Sequence, residues 1–497
     1  MAEFVKLNPS TLTVLREVDE RLVSYNVEMT EVTGGTFWKA YTDAQVDGTE
    51  EFPLIANWQD MGNLQQWYDP IDTKNPRLIK LAKELGTAWV RVSGTWANKT
   101  YYDFDGHCKG IVPEGFQNLL TKQQWLNLLD FVKAIDGKLL ISIANCPGIH
   151  SADEPMPFEQ ADLLFKTSKE YGVPISAAEF TNEPNLIALS GLPKGYTAAD
   201  HARDHDLFGA WLRKNYPECL FVGPCTVGDI DMFGMEGAGG GMAAGYDIVT
   251  TEALLGDYKV PMDVFSYHYY NGVSERGQAM GGHWPYSAAL TESYLGVAAN
   301  CARQYTARRD KYVPGGQMWV TESGDAGCGG NTWASTYVDV PRTLNELGEF
   351  CTVTDGIIFH NTLASSDYGY LKHGTFDPRP NYFAVLLWNR LMGKTVYDTH
   401  EEIREGAHVY CHSRKDGKDG YVYLIINNSK ETTLVDLPTE AVRYTLNGNG
   451  KLRSRTMLLN GRELKLGPND TLPELSGAYE AAGTIKLAPG SCTFLVI

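Results

Sequence analysis

Eight short β-rich runs alternate with amphipathic stretches between about residues 20 and 392. The runs are 23–29, 87–94, 138–145, 175–183, 219–226, 263–270, 318–323 and 356–361. Between them lie segments such as NPRLIKLAKEL (75–85), KQQWLNLLDFVKAI (122–135) and ADHARDHDLFGAWLRKN (199–215), with apolar residues three and four apart, as on one helix face. Most of the runs are continuously apolar, which suits parallel strands covered on both sides. Eight strand–helix units of this kind predict an α/β fold, a (β/α)8 barrel over residues 20–392.

The last hundred residues have a different pattern. HVYCHSRKDGKDGYVYLIINNS (408–429) reads as two strands around a polar turn, and TMLLNG, GTIKLAP and SCTFLVI follow without helical periodicity. A small antiparallel β-sandwich is expected, formed by residues 393–497 together with 1–19, where FVKLN and TLTVLREV can add an N-terminal strand. The glycine-rich tract GMEGAGGGMAAG (234–245) follows the fifth strand. Loops after barrel strands form the active-site face, so a mobile flap is expected there.

Composition limits the function. The net charge of −18 argues against a nucleic-acid partner, which needs a broad basic surface. No window offers the roughly 18 apolar residues of a membrane span. The N-terminus lacks a basic start followed by an apolar run, so a cytoplasmic location is expected, or a secreted or periplasmic one if a leader has been removed. Nine cysteines without CxxC spacing read as free thiols, and no Cys/His cluster has zinc spacing, so no metal or other cofactor is expected. His201 and His205, four apart without the glutamate of HExxH, read as a solvated helix face. The oligomeric state is not encoded legibly.

In a barrel the chemistry lies at the C-terminal ends of the strands. Glu183 stands there in FTNEPN after strand four, and Glu322 in WVTESG after strand seven. Glu28 ends strand one, Arg91 lies on strand two, and His268, Tyr269 and Tyr270 end strand six. Strands four and seven face each other across a barrel. Two glutamates there can protonate a glycosidic oxygen and attack the anomeric carbon from the other side. Asn182 can then hold the sugar 2-hydroxyl, Arg91 can keep Glu322 ionised, and a strand-six tyrosine can bond the same carboxylate. The bland alternative for one buried glutamate is an ion pair in the core, and Glu179, deeper on strand four, is read that way.

These motifs resemble clan A retaining glycosidases, in which Asn-Glu-Pro on strand four carries the acid/base. More narrowly, the chain resembles glycoside hydrolase family 79, the heparanase-like β-glucuronidases. The resemblance rests on NPRLIKLAKELGTAWVRVSGT (75–95), FSYHYYNG (265–272), TESGDAGCGG (321–330) and FDPRPNYFAVLLWNRLMG (376–393). It implies sugar contacts from Glu28, Thr95 and Asn182. It also implies that backbone amides of Cys328, Gly329 and Gly330 bind a sugar carboxylate; such a nest needs no basic side chain. Two departures stand out. Ser93 replaces the first glycine of a Gly-Gly pair. Gly327 stands where the family has a tyrosine, so Tyr368 or Tyr370 is expected to supply the phenol.

The reading that follows is a retaining exo-β-glucuronidase acting on a carbohydrate partner, the glucuronide being 4-O-methylated or oligosaccharide-linked in some substrates. The rivals are a heparanase-like endo-enzyme, a clan A glycosidase for a neutral sugar, and a non-catalytic carbohydrate-binding barrel.

Overall fold

The computed structural model describes residues 3–230 and 248–497. The expected flap at 234–245 lies outside the described residues.

The eight runs form a closed, all-parallel barrel in sequence order. Its strands are β1 (Val23–Glu28), β2 (Trp89–Ser93), β3 (Lys138–Ser142), β4 (Ile175–Glu179), β5 (Leu220–Val227), β6 (Val264–Tyr270), β7 (Gln317–Gly324) and β8 (Ile358–His360), with β8 pairing back to β1. The helices start where the chain supplies caps. In α1 (Pro76–Glu84) the Asn75 side chain accepts from the Arg77 amide and Pro76 opens the first turn. Capping boxes begin α2 (Lys122–Ala134), with Thr121 and Gln124, and α3 (Ala198–Asn215), with Thr197 and Asp200.

The barrel interior is layered. Its floor is apolar, with Trp89, Leu140, Ala177, Val222, Val264, Trp319 and Phe359 packed together. One step toward the C-terminal ends of the strands, the inward positions turn polar: Arg91 on β2, Glu179 on β4 and Ser266 on β6. All three are fully buried. Buried charge of this kind persists only when paired.

His201 and His205 correct the expectation of a solvated face. Both are about 1% exposed and pack on Phe180, and His205 also packs on Phe221. They continue the stripe of Phe208 and Leu212, the face that α3 turns to the barrel.

After α4 (Asp339–Val353) and α5 (Pro380–Leu391), the chain leaves the barrel through β9 (Met392–Asp398). This strand pairs antiparallel with the N-terminal strand Thr13–Glu17 and with β10 (His408–Arg414). The sheet continues through β11 (Tyr421–Ile426), Cys492–Val496 and Ala441–Asn447. A second sheet of Phe4–Lys6, Thr433–Leu437 and Gly483–Leu487 completes a sandwich.

Candidate active site

Arg91 organises the open end of the barrel. Its Nε donates to Glu179 Oε2 at 2.9 Å and its Nη1 to Glu322 Oε2 at 3.1 Å. Its Nη2 reaches Asn182 Oδ1 at 2.8 Å and His268 Nε2 at 3.1 Å. A guanidinium only donates, so His268 Nε2 must accept. The His268 proton therefore sits on Nδ1, which donates to Glu183 Oε1 at 2.9 Å. Burial holds His268 neutral, with its pKa lowered to about 4. Glu183 is pushed up to about 7 by burial, with Arg91 partly opposing.

Glu322 points inward because β7 is irregular. Met318 and Val320 pack outward in the main core and Trp319 packs inward on the barrel floor. Strict alternation would then send Thr321 in and Glu322 out. A register shift follows Tyr267↔Val320, so that His268 faces Glu322 instead of Thr321. The bulge re-aims the carboxylate into the barrel mouth. There Glu322 Oε1 accepts from the Tyr270 hydroxyl at 2.5 Å and from Asn361 Nδ2 at 3.3 Å. Burial, then Glu322 itself, raises Tyr270 well above the ordinary phenol range, so it stays a donor. Carboxylate oxygens of Glu183 and Glu322 lie within 4.8 Å of each other.

Glu183 lies four residues past the end of β4, in a loop fixed by a residue that sequence reasoning missed. Buried Asn98 accepts from the Asn182 amide and the Thr181 hydroxyl, both at 2.9 Å, and donates to the carbonyls of Asn182 and Ser190. Glu183 itself holds φ +45°, a left-handed conformation costly for a glutamate. Its carbonyl accepts from Ser190 Oγ at 2.6 Å.

A cavity of about 280 Å³ opens over the pair. Of the expected residues, Glu28, Thr95, Asn182, Glu183, Tyr270, Glu322, Cys328 and Tyr368 line it. Glu28 Oε2 has no hydrogen-bond partner among the described residues, and burial, then Glu322, raises its carboxyl well above the usual range. Its room depends on Gly94 (φ +89°), where a Cβ would fall 1.5 Å from Glu28 Oε2.

Five of the expected site residues lie off the cavity wall: Arg91, His268, Tyr269, Gly329 and Gly330. Arg91 and His268 stand behind the carboxylates, off the cavity wall. Tyr269 points the opposite way from His268 and Tyr270, as alternation on a strand requires. It sits in the core, edge-on to Phe350, and hydrogen-bonds Asn271. The Gly330 amide already donates to the Ala326 carbonyl at 3.1 Å, which leaves Cys328 and Gly329 as the amides of that turn. Of the two tyrosines expected after β8, Tyr368 lines the cavity and Tyr370 stacks on His360 at 3.9 Å.

Asn361, Trp38 and Lys99 also line the cavity and were not foreseen. Asn361 closes the eighth run and could have been found as a polar strand end; Trp38 carried no such signal.

Among the described residues, three groups bring metal-ligating atoms within 4.8 Å of one another: Glu183–His268–Glu322, Glu179–Cys225–His268, and Asp103–His107–Cys108 on the loop after β2. In the first two, the Arg91 guanidinium bonded to their members opposes a second cation. In the third, His107 Nδ1 already lies 2.5 Å from Asp105 Oδ1.

No family model matches the chain. Among curated proteins, it is 27% identical over 484 residues to heparanase-like protein 1 of Arabidopsis thaliana, a match covering 86% of this chain and 85% of that one. It is 24% identical over 469 residues to the hyaluronoglucuronidase of Hirudo nipponia, covering 86% and 90%. A shorter match, 29% over 187 residues and about a third of each chain (36% and 35%), is to the baicalin-β-D-glucuronidase of Scutellaria baicalensis. Among solved structures, the fold is shared along the whole chain with a 4-O-α-L-rhamnosyl-β-D-glucuronidase from Fusarium oxysporum, at TM-score 0.64 and 13% identity. The matches run through barrel and sandwich alike, and along most of its length the chain is similar to a heparanase-like protein and to a hyaluronoglucuronidase.

Proposed function

We propose that the protein is a retaining exo-β-glucuronidase, with Glu183 as acid/base and Glu322 as nucleophile. The observation that carries this reading is the approach of one oxygen of each carboxylate to within 4.8 Å on the wall of one cavity of about 280 Å³. Retaining enzymes hold their carboxyl groups about 5–5.5 Å apart, whereas inverting enzymes need roughly 6.5–9.5 Å to admit a water.

The hydrogen-bond pattern supports the division of roles. Oε1 of Glu183 accepts from His268, so the carboxyl proton sits on Oε2 and can pass to the glycosidic oxygen. Glu322 Oε2 is neutralised by Arg91, and Oε1 is held by Tyr270 and Asn361. As the leaving group takes the proton, a Glu322 oxygen bonds the anomeric carbon. The deprotonated Glu183 then takes a proton from water, whose oxygen displaces Glu322 and restores the starting configuration.

Glucuronide specificity is supported by relatives named as glucuronidases and by the backbone at Cys328 beside Tyr368 on the cavity wall. Exo action is supported by the cavity volume, at the small end of the roughly 300–1,000 Å³ of ligand pockets. An endo-enzyme on heparan-type chains is the second reading, favoured by the full-length match to a heparanase-like protein. Digestion of a 4-nitrophenyl β-glucuronide, a heparosan polymer and a 4-nitrophenyl β-xyloside separates the cases. Rapid internal cleavage of the polymer would defeat exo action, and faster xyloside turnover would defeat the glucuronide. Proton NMR of the first product should show the β-anomer.

A further inference from the structure

Behind the Cys328–Gly329 turn lies a buried cation that neither the carboxylate pair nor the cavity wall uses. Arg276 is 4% exposed. Among the described residues it makes no ion pair within 4.0 Å, and its Nε has no hydrogen-bond partner. Its Nη1 donates to the Lys39 carbonyl at 2.6 Å and its Nη2 to the Cys328 carbonyl at 3.3 Å. The guanidinium lies 4.3 Å from the centroid of the Tyr41 ring. The opposing charge is buried Asp367, whose carboxyl is raised by burial and pulled back by Arg379 and Arg276. A buried cation without a counter-ion in contact is costly, and that cost falls when a further anion comes near.

The bond to Cys328 also has a direction. In a trans peptide, C=O and N–H point opposite ways. The Cys328 carbonyl faces Arg276, which is off the cavity wall, while Cys328 and Trp38 line that wall. The Gly329 N–H of the same peptide therefore points away from Arg276. Cys328 holds φ +64° and Gly329 φ +96°, and a Cβ on Gly329 would sit 2.7 Å from Arg276 Nη2 and 2.6 Å from Trp38 Cβ. The turn is shaped around the guanidinium.

We propose that Arg276 is a positioning residue that makes this pocket select an anionic sugar. It turns the Cys328–Gly329 amide toward the bound carboxylate and supplies behind it a positive charge that no described carboxylate pairs in contact. The inference rests on the glucuronide reading above.

The test measures kcat and KM for 4-nitrophenyl β-D-glucuronide and for its neutral methyl ester, in wild type, Arg276→Gln and Arg276→Lys. A charge-assisted contact of about 1.5–3 kcal/mol corresponds to roughly a 10–100-fold effect. Arg276→Gln is expected to raise KM for the glucuronide about 10-fold or more, with kcat changed less than about 3-fold and the ester unaffected. Arg276→Lys, which keeps the charge, is expected to recover part of that loss. Equal losses on both substrates, or no loss on the glucuronide, would overturn the proposal. If Arg276→Gln does not fold, Arg276→Lys alone decides: a rise in glucuronide KM without a rise for the ester supports it, and matched changes overturn it. Wild-type enzyme that ignores the glucuronide while cleaving a neutral glycoside would sink the glucuronide reading itself, a separate failure.

Discussion

At the residue scale, the site sets two glutamates apart by giving them different neighbours. Glu183 is half-buried against a neutral histidine and keeps its proton to about pH 7; Glu322 is held by Arg91, Tyr270 and Asn361. The pH dependence of kcat/KM follows. On alkyl glycosides, whose leaving group needs protonation, activity should fall as pH rises through about 7, and on activated aryl glycosides that limb should flatten. Glu183→Gln should cost about 10²–10⁴-fold on the alkyl substrates and far less on the aryl ones. Equal losses on both would reassign the acid, and Glu322→Gln should abolish turnover of every substrate. The same raised pKa carries a stability signature. A carboxyl raised in the folded state favours folding at low pH, and that contribution is lost as pH climbs from about 4.5 through about 7. Glu183→Gln should therefore be more stable than wild type at pH 8, by up to about 3 kcal/mol, and equal to it below pH 4. Thermal melts across pH would show the crossover.

At the element scale, irregular backbone places the reactive groups. The bulge in β7 decides that Glu322 rather than Thr321 enters the mouth, and the loop bracketed by Asn98 carries Glu183 beyond the last ladder bond of β4. The end of β2 makes room for Glu28. A methyl at Gly94 would overlap Glu28 Oε2, so Gly94→Ala should expel that carboxylate from the pocket. The expected result is a KM raised about 10-fold, the order of one lost charged hydrogen bond, with the barrel still folded by circular dichroism. An unchanged KM would show that Glu28 does not touch the sugar.

At the scale of the whole molecule, barrel and sandwich share one core. Tyr410 of β10 packs over Gly348 of α4, where a Cβ would meet its ring at 2.5 Å, and its hydroxyl bonds Asn345 at 2.7 Å. His408 Nδ1 lies 2.6 Å from the same Asn345 oxygen. Tyr337 of the barrel donates to the carbonyls of Leu446 and Gly490 in the sandwich. The sandwich thereby clamps a barrel helix. Tyr410→Ala should cost about 3–5 kcal/mol in chemical denaturation while leaving kcat/KM of the folded enzyme within about 2-fold. A large loss of activity at full stability would mean that the sandwich reaches the site.

The sequence by itself determined the barrel, because a period of continuous apolar strands and amphipathic helices leaves few other ways to bury both faces of each strand. It also determined the candidate pair, since polar residues at strand ends in an apolar barrel stand out against their surroundings. Which faces those residues take was decided only in three dimensions. Tyr269 and Tyr270 are identical in sequence character, yet alternation buries one in the core and puts the other on Glu322. The histidines of α3 read as polar but complete an apolar stripe. Arg276 and Asn98 belong to separate segments, and no local pattern announces them. They matter because the closed barrel brings their loops to one rim, where a buried polar group must find a partner and the partners it finds fix the chemistry.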